Sequence, residues 1–389
     1  MSALRIAGLH CVLLASVVPS AVRADYVFST LWGLVRYSDD GQLLFNYRTG
    51  GYYPGDESDF IDEAMLSIGL GPNRRVYALG NSLGTISLHE FDADTGLEIS
   101  RKFTDEYGSE YNLPLWQSSS FFADHNPQCG TGCSGAYIKT GHQETGILFH
   151  PDGHLYSFGA AEFWAYNSQG QQRYDHLEHA LVRFSVANPS PPDVVTLLDN
   201  SVVTDVPWRD LVMAPDGSTY FRQPYSSSDL LKVDSTLAAG AEVIVSLPPG
   251  SHSLAFSPDG LLNFITANQV MRFDVESQQF LGTFIDLNPF GALSPYRGFY
   301  NPFFDDRGRF LVMMGTSDEE YYNWSTSLLE FDTQSGAFRR TVFTEKLGDD
   351  DGFFHALYLP VPEPSSAILA AIGLAIVYGI RFSRNLKRF

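Results

Sequence analysis

Short apolar runs, each long enough for one strand, follow one another along most of the chain, with turn formers between them. The clearest unit covers residues 254–285 and divides into LAFS, a Pro-Asp-Gly turn, LLNFIT, VMRFD and FLGTFI. Pro presets φ for the turn and Gly accepts positive φ, so the pattern predicts four antiparallel strands joined by tight turns. Four further stretches repeat it. ILFHPDGHLYSF starts at Ile147 and LVMAPDGSTYF at Leu211. FFDDRGRFLVMM starts at Phe303, and a worn copy, SIGLGPNRRVYAL, at Ser67.

Four-strand units in series predict an all-β chain folded as a β-propeller, in which each sheet packs on its neighbours. The two ends of the repeat region complete one another. Residues 25–50 supply a second, third and fourth strand without a first, and FFHALYL from Phe353 supplies a lone first strand. Joined, they make a sixth blade and close the ring, velcro fashion, which hides edges that would otherwise stay open. Six four-stranded blades over residues 25–360 are therefore expected, and the long stretch from Leu66 to Ile147 leaves room for a seventh. The blades resemble those of NHL-repeat and virginiamycin-B-lyase-like propellers around Pro-Asp-Gly and Phe-Asp. That resemblance implies the fold; propellers host many unrelated activities.

Composition agrees. Aromatic residues make up 14% of the chain and charged residues 18%, with 34 Gly and 21 Pro, which suits short strands and turns. The net charge of −20 argues against nucleic acid as a partner for the body, and neither residues 1–24 nor the tail after Pro364 contains an acidic residue. Most of this acidity reads as solvated surface. No cofactor is implied, although Ca²⁺ or another divalent ion at loop carboxylates is compatible with it.

The ends read as export signals. Arg5, the apolar stretch 6–18, Pro19 and the small residues around Ala24 make residues 1–24 a secretory signal peptide, cut by signal peptidase between Ala24 and Asp25. At the other end, residues 367–380 are uncharged. As a helix they span roughly 21 Å, against a bilayer core of about 30 Å. Arg381, Arg384, Lys387 and Arg388 follow and fix the tail inside. Pro362-Glu363-Pro364, a short hydrophobic helix and a basic terminus together resemble the PEP-CTERM sorting signal of Gram-negative bacteria. The resemblance covers residues 361–389. It implies transient anchoring in the inner membrane, cleavage by an exosortase-type protease, and delivery to the cell surface or extracellular polymer.

No spaced catalytic motif is present in the chain. Chain direction alternates along a blade, so the short turns share one face. The long segments 104–145, 160–179, 286–298 and 316–326 share the other, where binding usually resides. Trp164, Tyr166, Tyr321, Tyr322 and Trp324 in these segments either stack on the sugar rings of an extracellular polysaccharide or pack the loops onto the body. Glu144, Arg209, Asp210, His252, Arg297 and His355 enter the innermost strands. They form a candidate channel set for a non-catalytic site or, alternatively, for a metal-dependent lyase or hydrolase. A protein-docking platform is a third class. Cys129 and Cys133, in Cys-Gly-Thr-Gly-Cys, fit a small disulfide loop, a reactive thiol pair or half a metal site.

Overall fold

The computed structural model describes residues 25–359 less 31–32, 49, 53–59, 63, 83–84, 100, 105–109, 114–115, 119–120, 124–132, 141–145, 167–171, 186–192, 199–201, 203–210, 224–227, 238, 291–297, 306, 318–323 and 348–352. In parts of blades 1, 2, 3 and 6, Trp324 among them, it describes the backbone alone. Strand pairing gives a six-bladed β-propeller, each blade an antiparallel sheet built on four strands. In blade 5 the four are Ser251–Phe256, Leu261–Thr266, Gln269–Asp274 and Gln279–Asp286, one for each apolar run of the repeat. Among the described residues no helix is long and apolar enough to cross a membrane, and the tail after Pro360 lies outside them.

The near-continuous apolar runs have a simple cause. Successive side chains of a strand point to opposite faces, and both faces of an inner strand meet another sheet. All six residues of Asp25–Thr30 are buried. Tyr26 and Phe28 pack on blade 6, against Leu311, Met313 and Leu328. Val27, between them, packs on blade 2 against Ile68, Val76 and Phe91. Comparable buried clusters fill the interfaces between blades 3 and 4, 4 and 5, and 5 and 6.

The ring closes where the sequence expects. Phe353–Leu359 is the innermost strand of blade 1 and pairs antiparallel with Asp25–Thr30, Asp25 opposite Leu359 and Tyr26 opposite Tyr358. Ion pairs lock the seam with blade 6: Asp39 meets Arg309 at 2.6 Å and Arg307 at 2.7 Å, while Arg309 also donates to Asp305 and to the Tyr26 hydroxyl. Burial pushes the Asp39 carboxyl up, but hydrogen bonding and charge from Arg309, with Arg307 beside it, outweigh burial and hold it below the usual range.

The stretch between blades 2 and 3 holds hairpins instead of a seventh blade. Blade 2's outermost strand is split: Leu97 and Ile99 bond to Asp92 and Glu90, then the chain leaves as the hairpin Arg101–Thr104 with Glu110–Leu113. It returns as Trp116–Ser118 opposite Ile86, Ser87 and Leu88. A second difference lies at residues 160–179. The sequence suggests a loop there, yet Leu155–Tyr166 and Gln172–Phe184 form one long hairpin. Its inner edge is covered by Ile147–Phe149 and, further out, by Cys133–Thr140. That second partner supplies the backbone hydrogen bonds a loop would take from water. Trp324 likewise opens strand Trp324–Phe331.

Candidate functional site

The innermost strands surround a central channel, each presenting one backbone edge to it. Aligned on the turn that follows each strand, the fourth residue before the turn is Ser67 in blade 2, Gly146 in blade 3, Asp210 in blade 4, Ser253 in blade 5 and Asn301 in blade 6. Register against the second strand puts His355 at the same level in blade 1: Ala356 lies opposite Phe28 as Leu254 lies opposite Phe264.

Side chains at this level staple one blade to the next. The Ile68 amide of blade 2 donates to Nδ1 of His355 at 3.1 Å, and the Ile147 amide of blade 3 donates to Oγ of Ser67 at 2.9 Å. Each bond satisfies an edge amide that the channel would otherwise leave to water. The staple also assigns the His355 tautomer: Nδ1 faces an N–H donor, so the proton of the neutral ring lies on Nε2. Ser29 fixes the same residue from behind, its Oγ accepting from the His355 amide at 2.9 Å. His252 serves another seam, with Nε2 3.0 Å from the Phe299 carbonyl of blade 6 and Nδ1 3.1 Å from the Gly250 carbonyl.

The same bond cannot form at every seam. Gly146 has no side chain to offer blade 4, and Pro302 of blade 6 has no N–H for Ser253 to meet. A cavity of about 260 Å³ opens in this arc. Leu148, Leu211 and Met213 from blades 3 and 4 line one side, and Ser253, Asn301 and His355 from blades 5, 6 and 1 line the other. Ser253 and Asn301 sit at β-bulges with φ of 55° and 46°, left-handed conformations that cost serine about 1–2 kcal/mol and asparagine less.

The remaining candidates are placed as follows. His355 lines the cavity. Glu144, Arg209, Asp210 and Arg297 lie outside the described residues, as do Tyr321, Tyr322 and Cys129. Cys133 opens its strand, and only its backbone is described. Trp164 pairs with Gly135 and Tyr174, and Tyr166 with Gln172, on the blade 3 arm. Trp324 pairs with Ser317 and Leu347 in blade 6. Blades 3 and 6 are opposite members of the ring, so these positions share the long-segment face but flank the channel from two sides. Among the described residues no three His, Cys, Asp or Glu side chains converge as a metal site. Ser253 and Asn301 were not singled out in the sequence; aligning the innermost strands on their turns is the signal that finds them.

Neither a family model nor a curated protein matches the chain. Solved structures similar to it include a chain of the nidogen/laminin complex, at 10% identity over 87% of this chain and 99% of that one, TM-score 0.46. A Lactobacillus plantarum protein is similar at 12% identity over 87% and 100%, TM-score 0.44. Virginiamycin B lyase from Staphylococcus aureus is similar at 11% identity over 73% and 84%, TM-score 0.34.

Proposed function

We propose that the chain is an exported propeller that binds an extracellular polysaccharide without transforming it. A signal peptide over residues 1–24 takes it across the inner membrane of a Gram-negative cell. The Pro362-Glu363-Pro364 tail then anchors it until an exosortase-type protease releases it to the surface. The limits of the body support this part of the reading. Asp25 and Leu359 sit opposite one another in one sheet, so both end segments can be cut away without removing a strand.

The blade 3 arm carries the binding reading. Strands of 12 and 13 residues hold Trp164 and Tyr166 on a hydrogen-bonded ladder. Aromatic positions fixed in advance lose little entropy when a sugar ring stacks on them. Trp324 stands across the channel on blade 6, preceded in sequence by Tyr321 and Tyr322. A polymer laid over this face meets aromatic positions on both sides. Nδ1 of His355 accepts from the Ile68 amide and both ring nitrogens of His252 face backbone carbonyls, so neither ring turns a free lone pair to the channel, which supports binding over metal-dependent lyase or hydrolase chemistry there.

The test is a glycan array probed with protein recovered from the producing cells, its mass checked for a start at Asp25 and an end near Pro364. Binding that falls at least tenfold in Trp164→Ala or Trp324→Ala, and persists in His252→Ala and His355→Ala, is expected. A blank array overturns the polysaccharide reading. Stoichiometric metal that disappears with the histidine variants overturns it in favour of the enzyme.

A further inference from the structure

The turn between the first two strands of blade 3 differs from its counterparts in the ring. It reads His150-Pro151-Asp152-Gly153-His154, with the His150 amide donating to the His154 carbonyl at 2.9 Å. The residues closing the same turn are Ala214 and Ser218 in blade 4, Ser257 and Leu261 in blade 5, and Asp305 and Arg309 in blade 6. Of these four turns, the one in blade 3 sets an imidazole on each side of an aspartate.

Oδ1 of Asp152 stands 3.3 Å from Nδ1 of His150 and 3.4 Å from Nδ1 of His154. Bonds of about 2.0–2.1 Å to a tetrahedral ion set neighbouring donor atoms roughly 3.3–3.4 Å apart, so both spacings suit one ion. Groups behind the donors orient two of them. Nε2 of the buried His150 faces the Gly217 carbonyl of blade 4 at 3.3 Å, which places the ring proton there and turns the Nδ1 lone pair toward the turn. Oδ2 of Asp152 accepts from the Tyr156 hydroxyl, while Oδ1 accepts from the His154 amide at 2.9 Å. The third donor is the adjustable one. The His154 side chain is one-third exposed, and its Nδ1 makes no hydrogen bond among the described residues.

As they stand, the three donors do not surround a single point, and Nδ1 of His150 accepts a long bond, 3.3 Å, from the Asp152 amide. We infer that this turn binds one zinc-class divalent ion through His154, Asp152 and His150, the His154 ring turning inward and the long bond being released. Water fills the fourth position. Two imidazole donors favour such an ion over Ca²⁺ or Mg²⁺, which take oxygen ligands. The site lies on the short-turn face, so it stands apart from the polysaccharide reading above and does not depend on it.

The experiment treats the full chain with a chelator, removes the chelator and titrates with zinc chloride by calorimetry. Cobalt chloride reports coordination through its visible absorption, and calcium chloride is the control. Saturable uptake of one zinc ion is expected, with a thermal midpoint that climbs as zinc is added, tetrahedral cobalt bands, and no response to calcium. His154→Gln should keep the zinc-free midpoint, since Nδ1 gives up no hydrogen bond, and abolish both metal responses. Tyr156→Phe leaves Oδ2 of Asp152 without its hydroxyl partner and should weaken zinc binding at least tenfold. His252→Ala and His355→Ala should bind zinc as the wild type does, which separates this ion from one held in the channel. Should His154→Gln fail to fold, Asp152→Asn takes its place with the same expected loss. A wild-type chain that takes up no zinc overturns the inference. Full affinity in the turn variant overturns it too, as does loss of binding in either channel variant.

Discussion

Gln278 occupies a slot that glycine fills elsewhere in the ring. In blades 2 and 6 the turn between third and fourth strands opens on Asp92 and Asp332, whose carboxylates accept from backbone amides two and three residues on, and Gly96 and Gly336 follow at φ of 70°. These bonds hold both carboxyls below the usual range, the amides of Thr95 and Ser335 being the largest cause. Blade 5 repeats the turn on Asp274, but Gln278 stands at φ 55°. Gln278→Gly should therefore stabilise the protein by about 0.5–1 kcal/mol, left-handed strain relieved less the extra freedom of glycine when unfolded. Gly336 allows no converse exchange. A Cβ there would meet the Phe284 carbonyl of blade 5 as well as an unfavourable φ, so Gly336→Ala should cost roughly 2–4 kcal/mol. Denaturant unfolding of the two variants measures both signs. The turns were legible in the sequence because Asp and Gly at fixed offsets have a local mechanism. The left-handed residue at Ser253 was not, since no local rule places serine there, and asparagine, which tolerates that conformation, does not by itself mark Asn301 as a bulge.

One strand position, two residues before each of these turns, ties neighbouring blades together in blades 1 and 5, where it holds arginine. It holds Arg36, Glu90, Arg183, Lys232, Arg272 and Glu330 in blades 1 to 6. Arg36 donates to the Ala93 carbonyl of blade 2, and Arg272 reaches the Thr333 carbonyl of blade 6 at 3.0 Å; both acceptors follow the turn aspartate directly. Arg272 also lies 3.3 Å above the Phe284 ring and donates to Asn263. Arg272→Met keeps the stem but loses the stacked cation and its bonds, and should lower stability by about 2 kcal/mol. Arg272→Lys should recover only part of that loss, because an ammonium cannot span Asn263 and Thr333 together. Calorimetry on the pair tests this, and equal midpoints for Lys and wild type would remove the guanidinium geometry from the account. The outer strands show a second device. Those of blades 1, 3, 4, 5 and 6 each carry a β-bulge, which twists an exposed edge away from pairing with another molecule. Apolar runs made the strands visible in the sequence, but not these irregularities. The blade 3 arm escaped for a related reason: its outer half alternates poorly and is a strand because Cys133–Thr140, far off in sequence, lies beside it.

At the scale of the ring, blade 1 is the one that lacks a first-to-second turn, because the body of the chain begins and ends there. In blade 5 that turn runs Ser257-Pro258-Asp259-Gly260-Leu261, with the Ser257 amide donating to the Leu261 carbonyl. Register places Leu359 where Ser257 stands and Asp25 where Leu261 stands, since Tyr358 opposes Tyr26 as Phe256 opposes Leu262. Three residues bridge such a pair, and Pro360 already occupies the first of the three in sequence. A circular permutant joined as Leu359-Pro360-Asp-Gly-Asp25 and opened between Asp259 and Gly260 should fold to the same ring. Its new ends fall in an exposed turn, where breaking the chain removes few contacts. Blades 1 and 6 keep their shared core and the Asp39–Arg309 lock, so stability should change by no more than about 1–2 kcal/mol, the difference between closing one short loop and opening another. Far-ultraviolet circular dichroism and a denaturant midpoint suffice to measure it. A permutant that stays unfolded while the unjoined body folds would mean that Phe353–Leu359 does not close the ring in solution. A deletion cannot separate those two cases, because removing Phe353–Leu359 strips Tyr26 and Val27 of their edge partners whatever the route of closure.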